Sequence, residues 1–384
     1  MIRGELKKIW KNRAFRWFLI VLFAVNIVQV YRGIPHGEPD SFTKGEQMIY
    51  EQVRGEWSDE KLRFIVENAR RTEEIRMSGN YSTEPDQPGT YTGYLFGDCM
   101  VFNEYCEQME YLYHYGREMQ AVLDRAAENV SFYAENGNDK LRRENEQILR
   151  LYQNRSVPAF YRTDGAKRLI SHDFSALLTV FAVLLCAVPV FARENGVQMD
   201  ALLRTTPHGH AALALAKIAA AMLSAGIIAL GFCLADVICF SAFSSIECFS
   251  LPLYAVKEFR DTPFSGTIAE YMVLLAFCRM LGAWLLTLIC LLFSALLRSE
   301  TAALAVSAAA VFVIMCMNGT WNPMLLFAFR SVTMRYAADS LFSVPVLHGI
   351  SLMMMTVCFI IVLTVLIVLL SVQRFSFRRR RKQI

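Results

Sequence analysis

Long apolar runs are the feature that most constrains this chain. One run lies at residues 17–31, and several more follow one another through residues 171–373. A run of about 20 apolar residues is long enough to cross the hydrocarbon core of a bilayer as an α-helix. Residues 32–170 are polar and charged instead. This division predicts an all-α integral membrane protein with about six transmembrane helices and a large, mainly helical extracytoplasmic domain between helices 1 and 2.

The charges follow the same division. Residues 32–170 contain 18 Lys or Arg and 24 Asp or Glu, whereas the rest of the chain contains 21 basic and 11 acidic residues. The basic residues outside 32–170 gather at the ends of apolar runs, as the positive-inside rule requires of cytoplasmic segments. We therefore expect a multi-pass protein of the cell membrane with both termini in the cytoplasm. For the same reason we do not interpret these basic residues as a nucleic-acid surface.

The N-terminal segment precedes the first apolar run. Residues 1–16 contain six Lys or Arg, and apolar residues recur among them at helical spacing from Ile2 to Trp10. This pattern predicts a cytoplasmic amphipathic helix on the inner membrane surface. A plain charged flank that orients the next helix is the alternative. Residues 17–31 are predicted as transmembrane helix 1, which we expect to stay uncleaved because no small-x-small site follows it.

Residues 32–170 carry their own helical signals. From Tyr105 to Tyr133, apolar residues alternate spacings of four and three, which predicts a long helix packed against a partner helix. Residues 141–152 supply part of that partner after a turn at Asn136–Asn138. Ser58 is predicted as a helix start. The tyrosine-rich stretch 79–97 is predicted as a loop, with ordinary packing or ligand binding as the two roles for its tyrosines.

The spacing of charged residues in the later apolar runs indicates where each membrane span begins and ends. Lys217 and Asp236 are 19 residues apart, as are Arg279 and Arg298. That separation is about 28 Å along a helix, close to one bilayer core. We therefore place each pair at the two interfaces of one span, with a buried Asp236 that relays protons or contacts substrate as the alternative. The piece Ile268–Cys278 is then predicted as an interfacial or re-entrant segment before helix 4.

Transmembrane helices 2 to 6 are all predicted within residues 171–373. The five runs are Phe174–Phe191, Leu213–Ala242, Arg279–Arg298, Ala302–Met317 and Ile350–Val372. Helices 2 and 3 are joined by a cytoplasmic loop at 193–210. A basic cytoplasmic tail at 374–384 follows helix 6.

Motifs of enzyme chemistry are missing from the sequence. It contains no G-x-x-x-x-G-K-[S/T] phosphate loop, no H-E-x-x-H and no G-x-S-x-G. The six histidines are scattered, and His208 with His210 in one loop is a weak metal signal. We therefore expect a protein that is not an enzyme, with no catalytic residues, no metal site and no cofactor bound by this chain.

The cytoplasmic loop is the most informative stretch. Leu202 and Leu203 are adjacent large apolar residues that require a cover. Thr206 is a good N-cap, and Pro207 is a good first residue for the next helix. A helix held between two spans in this way is suited to being pushed by a partner protein. A well-capped connector is the alternative.

This loop resembles the loop of ABC type-2 transporter permeases, the membrane subunits of ATP-binding-cassette exporters. The residues that carry the resemblance are Glu194, Gly196, Leu202, Leu203, Thr205, Thr206, Pro207 and Lys217. The sequence departs from the family pattern at Gly209–His210, where the family often has a small residue followed by Arg. Residues 5–9 are similar to the family's basic N-terminal helix, and residues 294–298 are similar to the end of its fourth helix.

The resemblance covers most of residues 1–31 and 171–373, but not the domain between them. It implies a subunit that pairs with itself or with a sister permease and binds a separate ATPase through the loop at 194–206. ATP and magnesium would then be bound by the partner ATPase, and an unidentified substrate would be exported across the membrane. A membrane-anchored sensor with an extracytoplasmic ligand-binding domain, or a membrane enzyme, is the alternative class of function.

Overall fold

The structure is a computed structural model, and it describes residues 1–33, 41–78, 95–196, 209–243, 247–297, 299–316 and 345–380. These residues are mostly helical and include a two-stranded antiparallel sheet. Five helical segments are long and apolar enough to cross a membrane: Arg13–Arg32, Asp164–Arg193, Ala211–Ala242, Ile268–Leu296 and Met353–Val372. The chain thus has the helices of an all-α, multi-pass membrane protein.

The secondary structure elements are numbered here in chain order. The first part of the chain contains α1 (Ile2–Lys11), α2 (Arg13–Arg32), α3 (Ser41–Val53), β1 (Gly55–Glu56), α4 (Asp59–Ser78), α5 (Leu95–Glu135), α6 (Asp139–Tyr152), β2 (Ala159–Phe160) and α7 (Asp164–Ile170). The second part contains α8 (Phe174–Ala187), α9 (Pro189–Gly196), α10 (Gly209–Phe243), α11 (Ile268–Leu296), α12 (Glu300–Cys316) and α13 (Pro345–Arg380).

A turn at Asn12 separates α1 from α2. The side-chain oxygen of Asn12 accepts hydrogen bonds from the backbone N–H groups of Ala14 (3.1 Å) and Phe15 (3.4 Å), which makes Asn12 the N-cap of α2. The helix that contains the predicted span 17–31 therefore begins at Arg13, four residues before that span. The N-terminal segment contains the separate helix α1, and its predicted place on the inner membrane surface stays a prediction. Helix α1 packs against α10.

The membrane helices α2, α8, α10 and α11 pack side by side. Small buried residues on α10, among them Ala221, Ala225 and Ala229, allow its neighbours to approach closely. Helix α13 packs on α10 and α11, and α12 packs on α11. The fifth predicted span lies in α12, which has 17 described residues. At about 25 Å it falls short of the roughly 30 Å hydrocarbon core.

The fourth span is one continuous helix. Thr267 and Glu270 form a capping box at its start, with the Glu270 N–H donating to Thr267 Oγ1 at 3.2 Å. The prediction that Ile268–Cys278 forms a separate interfacial segment is therefore wrong. That piece contains no proline to break the helix, and Tyr271 and Leu275 on it are buried in the core of the adjoining polar domain. The domain therefore covers one side of this part of α11, while Val273 on it stays exposed.

The second span is divided into α8 and α9. Proline has no N–H and clashes with the preceding turn, so the helix restarts at Pro189. Ser294 on α11 satisfies the backbone groups at this break. Its hydroxyl accepts hydrogen bonds from the N–H groups of Phe191 (3.1 Å) and Ala192 (2.9 Å), and it donates to the carbonyl of Val188 (2.6 Å). A hydroxyl has one donor and two acceptor sites, which these three bonds match.

The polar domain, defined here as residues 41–170 together with 247–267, is built around α5. This 41-residue helix confirms the predicted seam, since Tyr105, Met109 and Met119 are buried against neighbouring helices. The predicted partner is confirmed as α6, which follows a turn and is capped by Asn138. The predicted helix start at Ser58 is also confirmed, because its hydroxyl accepts a hydrogen bond from the Glu60 N–H at 3.2 Å.

Residues 247–267, the connecting segment, join α10 to α11 and form short 3₁₀ turns at Glu247–Ser250, Leu253–Ala255 and Lys257–Phe259. Their backbone carbonyls accept hydrogen bonds from tyrosine and arginine side chains of the polar domain. The bonds run from Tyr111 to Tyr254 O (2.8 Å), Tyr115 to Arg260 O (3.1 Å), Tyr152 to Asp261 O (2.7 Å) and Arg155 to Thr262 O (2.6 Å). A segment distant in sequence thus completes the domain, which the sequence patterns did not indicate.

Candidate functional site

A cluster of polar side chains lies buried among four apolar helices. Its members are Asn26 on α2, His172 and Ser175 at the start of α8, Asp236 on α10, and Arg279 on α11. We call this group the polar cluster. Ionisable residues are costly inside a membrane bundle and commonly mark a substrate or ion pathway. The polar cluster is therefore the first candidate for a functional site.

Asp236 and Arg279 form the ionic centre of the cluster. Arg279 Nη1 lies 3.4 Å from Asp236 Oδ2, and the two side chains are only 10% and 3% exposed. Asn26 donates from Nδ2 to the other carboxylate oxygen at 2.6 Å. A buried ion pair persists only when further hydrogen bonds satisfy its remaining polar atoms. Both carboxylate oxygens of Asp236 therefore have a partner.

The remaining contacts orient the arginine and the histidine. Arg279 donates to Ser175 Oγ at 2.9 Å and to the backbone carbonyl of His172 at 3.0 Å. His172 Nε2 lies 3.3 Å from Asn26 Oδ1 and 3.9 Å from Asp236 Oδ1. These positions suit an imidazole that donates to Asn26 when neutral and pairs with Asp236 when protonated.

Apolar packing holds the cluster in place on both sides. One turn away on α2 and α10, the rings of Phe23 and Phe232 stack with centroids 4.2 Å apart and nearly parallel. A methyl group at Gly231 would come within 3.2 Å of the Phe23 ring, so glycine permits this close approach. On the other side, Val30, Leu169 and Phe240 form a small buried group. The charges are thus enclosed between two apolar layers.

A groove between α10 and α11 reaches the cluster. It has a volume of about 680 Å³, and Asp236 and Arg279 contribute the charged part of its lining. Most of its lining is apolar, including Leu234, Met272 and Val273. Sites for small molecules commonly combine an apolar wall with a few polar groups in this way.

The structure gives only the start of the predicted coupling loop. Glu194 and Gly196 lie in the last turn of α9. Leu202, Leu203, Thr205, Thr206 and Pro207 lie outside the described residues, as do residues 79–94 of the tyrosine-rich stretch 79–97. The last three residues of that stretch, predicted as loop, begin helix α5 instead. Lys217, which completes the family pattern, is buried on α10 with its ammonium 5.0 Å from the centre of the Phe191 ring. The role of the loop stays a prediction.

Sequence reasoning found part of the cluster and missed the rest. It singled out Asp236 and Arg279 as charges in apolar runs, but it placed both at membrane interfaces. Both side chains are buried inside the protein. Their placement at the two membrane interfaces stays a prediction, as does a role of Asp236 in relaying protons or contacting substrate. Asn26 and His172 were not identified. The sequence signal that could have indicated them is a polar residue within an apolar run, for Asn26, or next to one, for His172.

Metal binding has no support within the described ranges. No group of three or more His, Cys, Asp or Glu side chains that could hold a metal ion occurs there. The cluster itself offers only His172 and Asp236 as ligand types, and Arg279 lies against that carboxylate.

Comparisons with known proteins give no family. No protein-family model, curated protein or solved structure matches the chain. The functional argument therefore depends on the residues and their arrangement.

Proposed function

We propose that this protein is the permease subunit of an ATP-binding-cassette transporter, an exporter that moves its substrate with ATP hydrolysed by a separate subunit. The observation that carries the proposal is the polar cluster. A carboxylate, a guanidinium and an imidazole are held together inside a bundle of apolar helices, beside a groove of about 680 Å³. Such intramembrane charges mark pathways for substrates, ions or protons.

We propose that the Asp236–Arg279 contact is formed in one arrangement of the helices and separated in another. Asp236, Arg279 and Asn26 lie on three different helices, so a relative movement of α2, α10 and α11 must change their distances. Alternating access requires two discrete arrangements of packed helices. We propose that the Asp236–Arg279 pair stabilises one of them and that the α10–α11 groove contacts the substrate.

The energy input is proposed to arrive at the opposite end of the bundle. Helix α1, the end of α9 and the start of α10 surround one pocket there, and the loop with the family pattern joins α9 to α10. We propose that Leu202 and Leu203 bind a groove on the partner ATPase, which holds ATP and magnesium. A second permease copy or a sister permease is the proposed partner within the membrane. It would pack against α13, because only 11% of an apolar stretch within Met353–Val372 is buried.

A sensor is the second candidate, and one observation favours it. The polar domain is tied to the membrane helices by the connecting segment, through Arg54–Glu247, Arg260–Glu118 and several tyrosine hydrogen bonds. A ligand that moved the domain would therefore also move the ends of α10 and α11. The two candidate functions differ in the partner that they require. A transporter permease requires an ATPase, whereas a sensor does not.

The test is co-purification of an ATPase with the full chain. We expect the wild-type protein to retain an ATPase, and the chain freed of other subunits to hydrolyse no ATP. Burying one leucine is worth about 1.5–3 kcal/mol. The double variant Leu202→Ser/Leu203→Ser should therefore lose more than about tenfold of its affinity for that partner.

The matched control is Pro207→Ala, which should weaken the complex less because it leaves the predicted N-cap residue Thr206 unchanged. Monodispersity in detergent checks that each variant is folded. A monodisperse double variant that retains the ATPase in full would reject this loop as the coupling element. Absence of any ATPase from the wild-type preparation would favour the sensor.

A further inference from the structure

A second pocket, called here the α1 pocket, lies where α1 meets the bundle. It has a volume of about 380 Å³ and is lined by residues of α1, α2, α8, α9 and α10. It lies at the end of the bundle opposite the polar domain. The proposed substrate pathway does not use it, so its composition requires a separate explanation.

The charged side chains of this pocket are mostly basic. Among the described lining residues, Lys8, Arg193 and Lys217 contribute three cations, and Glu5 contributes one carboxylate. Glu5 is held by Lys8, whose ammonium donates to it at 2.7 Å. Lys217 is only 4% exposed and lies over the face of Phe191. A cation at such depth gains from any anion that enters the pocket, because the surroundings screen charge poorly.

The rest of the lining is apolar. Phe15, Leu185 and Val190 are among its apolar lining residues. Helix α1 closes one side, and its other basic residues, such as Lys7, are exposed beside the pocket. A free anion would gain nothing from the apolar wall. An amphiphile with an anionic head and an apolar tail would use both parts.

We propose that the α1 pocket binds the headgroup of an anionic phospholipid. The phosphate would lie at Lys217 and Arg193, and the first acyl carbons would lie against Phe15 and Val190. Basic pockets between membrane helices bind such headgroups in this way. The bound lipid would fill the space between α1 and the break that separates α8 from α9. This inference does not depend on transport, since any function of these membrane helices would permit it.

The experiment measures lipid binding by native mass spectrometry of the full chain in detergent. Phosphatidylglycerol is titrated against phosphatidylcholine with the same acyl chains. Both lipids carry one phosphodiester, but phosphatidylcholine also carries a quaternary ammonium that the basic side chains of the pocket repel. We therefore expect wild-type protein to bind phosphatidylglycerol about tenfold more tightly. Arg193→Gln and Lys217→Gln should each remove most of this preference.

The matched control is Lys7→Gln, which removes the same charge from an exposed position of α1 outside the pocket. We expect it to change the preference by less than about twofold. Arg193 is exposed, so Arg193→Gln remains informative even if Lys217→Gln fails to fold. Equal binding of the two lipids, or an equal loss in Arg193→Gln and Lys7→Gln, would overturn the proposal. Displacement of phosphatidylglycerol by inorganic phosphate at equal concentration would show a free-phosphate site and would also overturn it.

Discussion

The polar domain and the membrane helices satisfy their charges in opposite ways. In the domain, ion pairs such as Arg142–Asp139 and Arg260–Glu118 lie at the surface, and buried tyrosines donate to backbone carbonyls. Among the membrane helices, charged contacts concentrate in the polar cluster, where Asp236 and Arg279 are both buried. Exposed pairs contribute little to stability, whereas breaking a buried pair is costly. The surroundings of an ion pair therefore decide how much stability is lost when the pair is broken.

The largest contrast expected between the two regions is in their exposure to opposite sides of the membrane. We expect residues 32–170 outside and the loop at 193–210 inside, because the basic clusters then lie in the cytoplasm. Single cysteines at Ser82 and Gln198, in a chain lacking Cys99, Cys106 and Cys248, can be labelled on intact cells with an impermeant thiol reagent. Labelling at 82 and not at 198 is the expected result. The reverse pattern would invert the topology.

The next largest effect is expected in the free energy of unfolding, when a buried and an exposed arginine are each replaced. Arg279→Met leaves the buried carboxylate of Asp236 without its guanidinium, which should lower the free energy of unfolding by about 3–5 kcal/mol. Arg260→Met breaks the Arg260–Glu118 pair, whose side chains are 44% and 46% exposed. That change should cost less than about 1 kcal/mol. Thermal unfolding in one detergent measures both variants, and equal losses would contradict the comparison.

A smaller effect is expected at the break between α8 and α9. Ser294→Ala removes the hydroxyl that binds the N–H groups of Phe191 and Ala192. Leaving buried backbone donors unsatisfied should cost about 1–3 kcal/mol. The control is Ser371→Ala, since Ser371 donates only within its own helix, to Ile367 O at 2.9 Å and Val368 O at 2.8 Å. If both variants unfold at the same temperature, the bonds across the break are not important for stability.

The smallest effect concerns a surface carboxylate of the polar domain. A hydrogen bond from Arg76, followed by one from Cys99, lowers the pKa of Glu73 from its ordinary 4.5 to about 2. Because the folded pKa is depressed, the contribution to stability is present above pH 4.5 and is lost as the pH falls towards 2. Arg76→Gln should therefore lower the unfolding temperature slightly at neutral pH, and the difference from wild type should shrink near about pH 3. A difference that does not change with pH would exclude this origin.

The sequence predicted the elements with strong periodicity. The seam from Tyr105 to Tyr133 and the turn before α6 were found because apolar spacing and turn residues act locally. The same holds for Ser58, whose cap involves residues only two positions away. Each long apolar helix was located for the same reason, although α11 begins earlier than predicted.

The candidate site was much less predictable. The 19-residue spacing measures distance along a helix, but it does not say which way a side chain faces. Asp236 is buried because Asn26, 210 positions earlier, and Arg279, 43 positions later, pack against it. The connecting segment likewise joins the polar domain through contacts such as Arg155 to Thr262, 107 positions apart. Partners at such separations leave no periodic signal in one sequence.

The break at Pro189 has a mechanical consequence. The helical hydrogen-bond ladder is interrupted at Pro189, so a change in the angle between α8 and α9 would break fewer backbone hydrogen bonds than bending an unbroken helix. Three hydrogen bonds to the single hydroxyl of Ser294 set that angle. These bonds would therefore resist a small displacement of α9, and the angle between α8 and α9 would change more easily once they break. Through these bonds a force on α9 would act on α11, the helix that carries both Ser294 and Arg279.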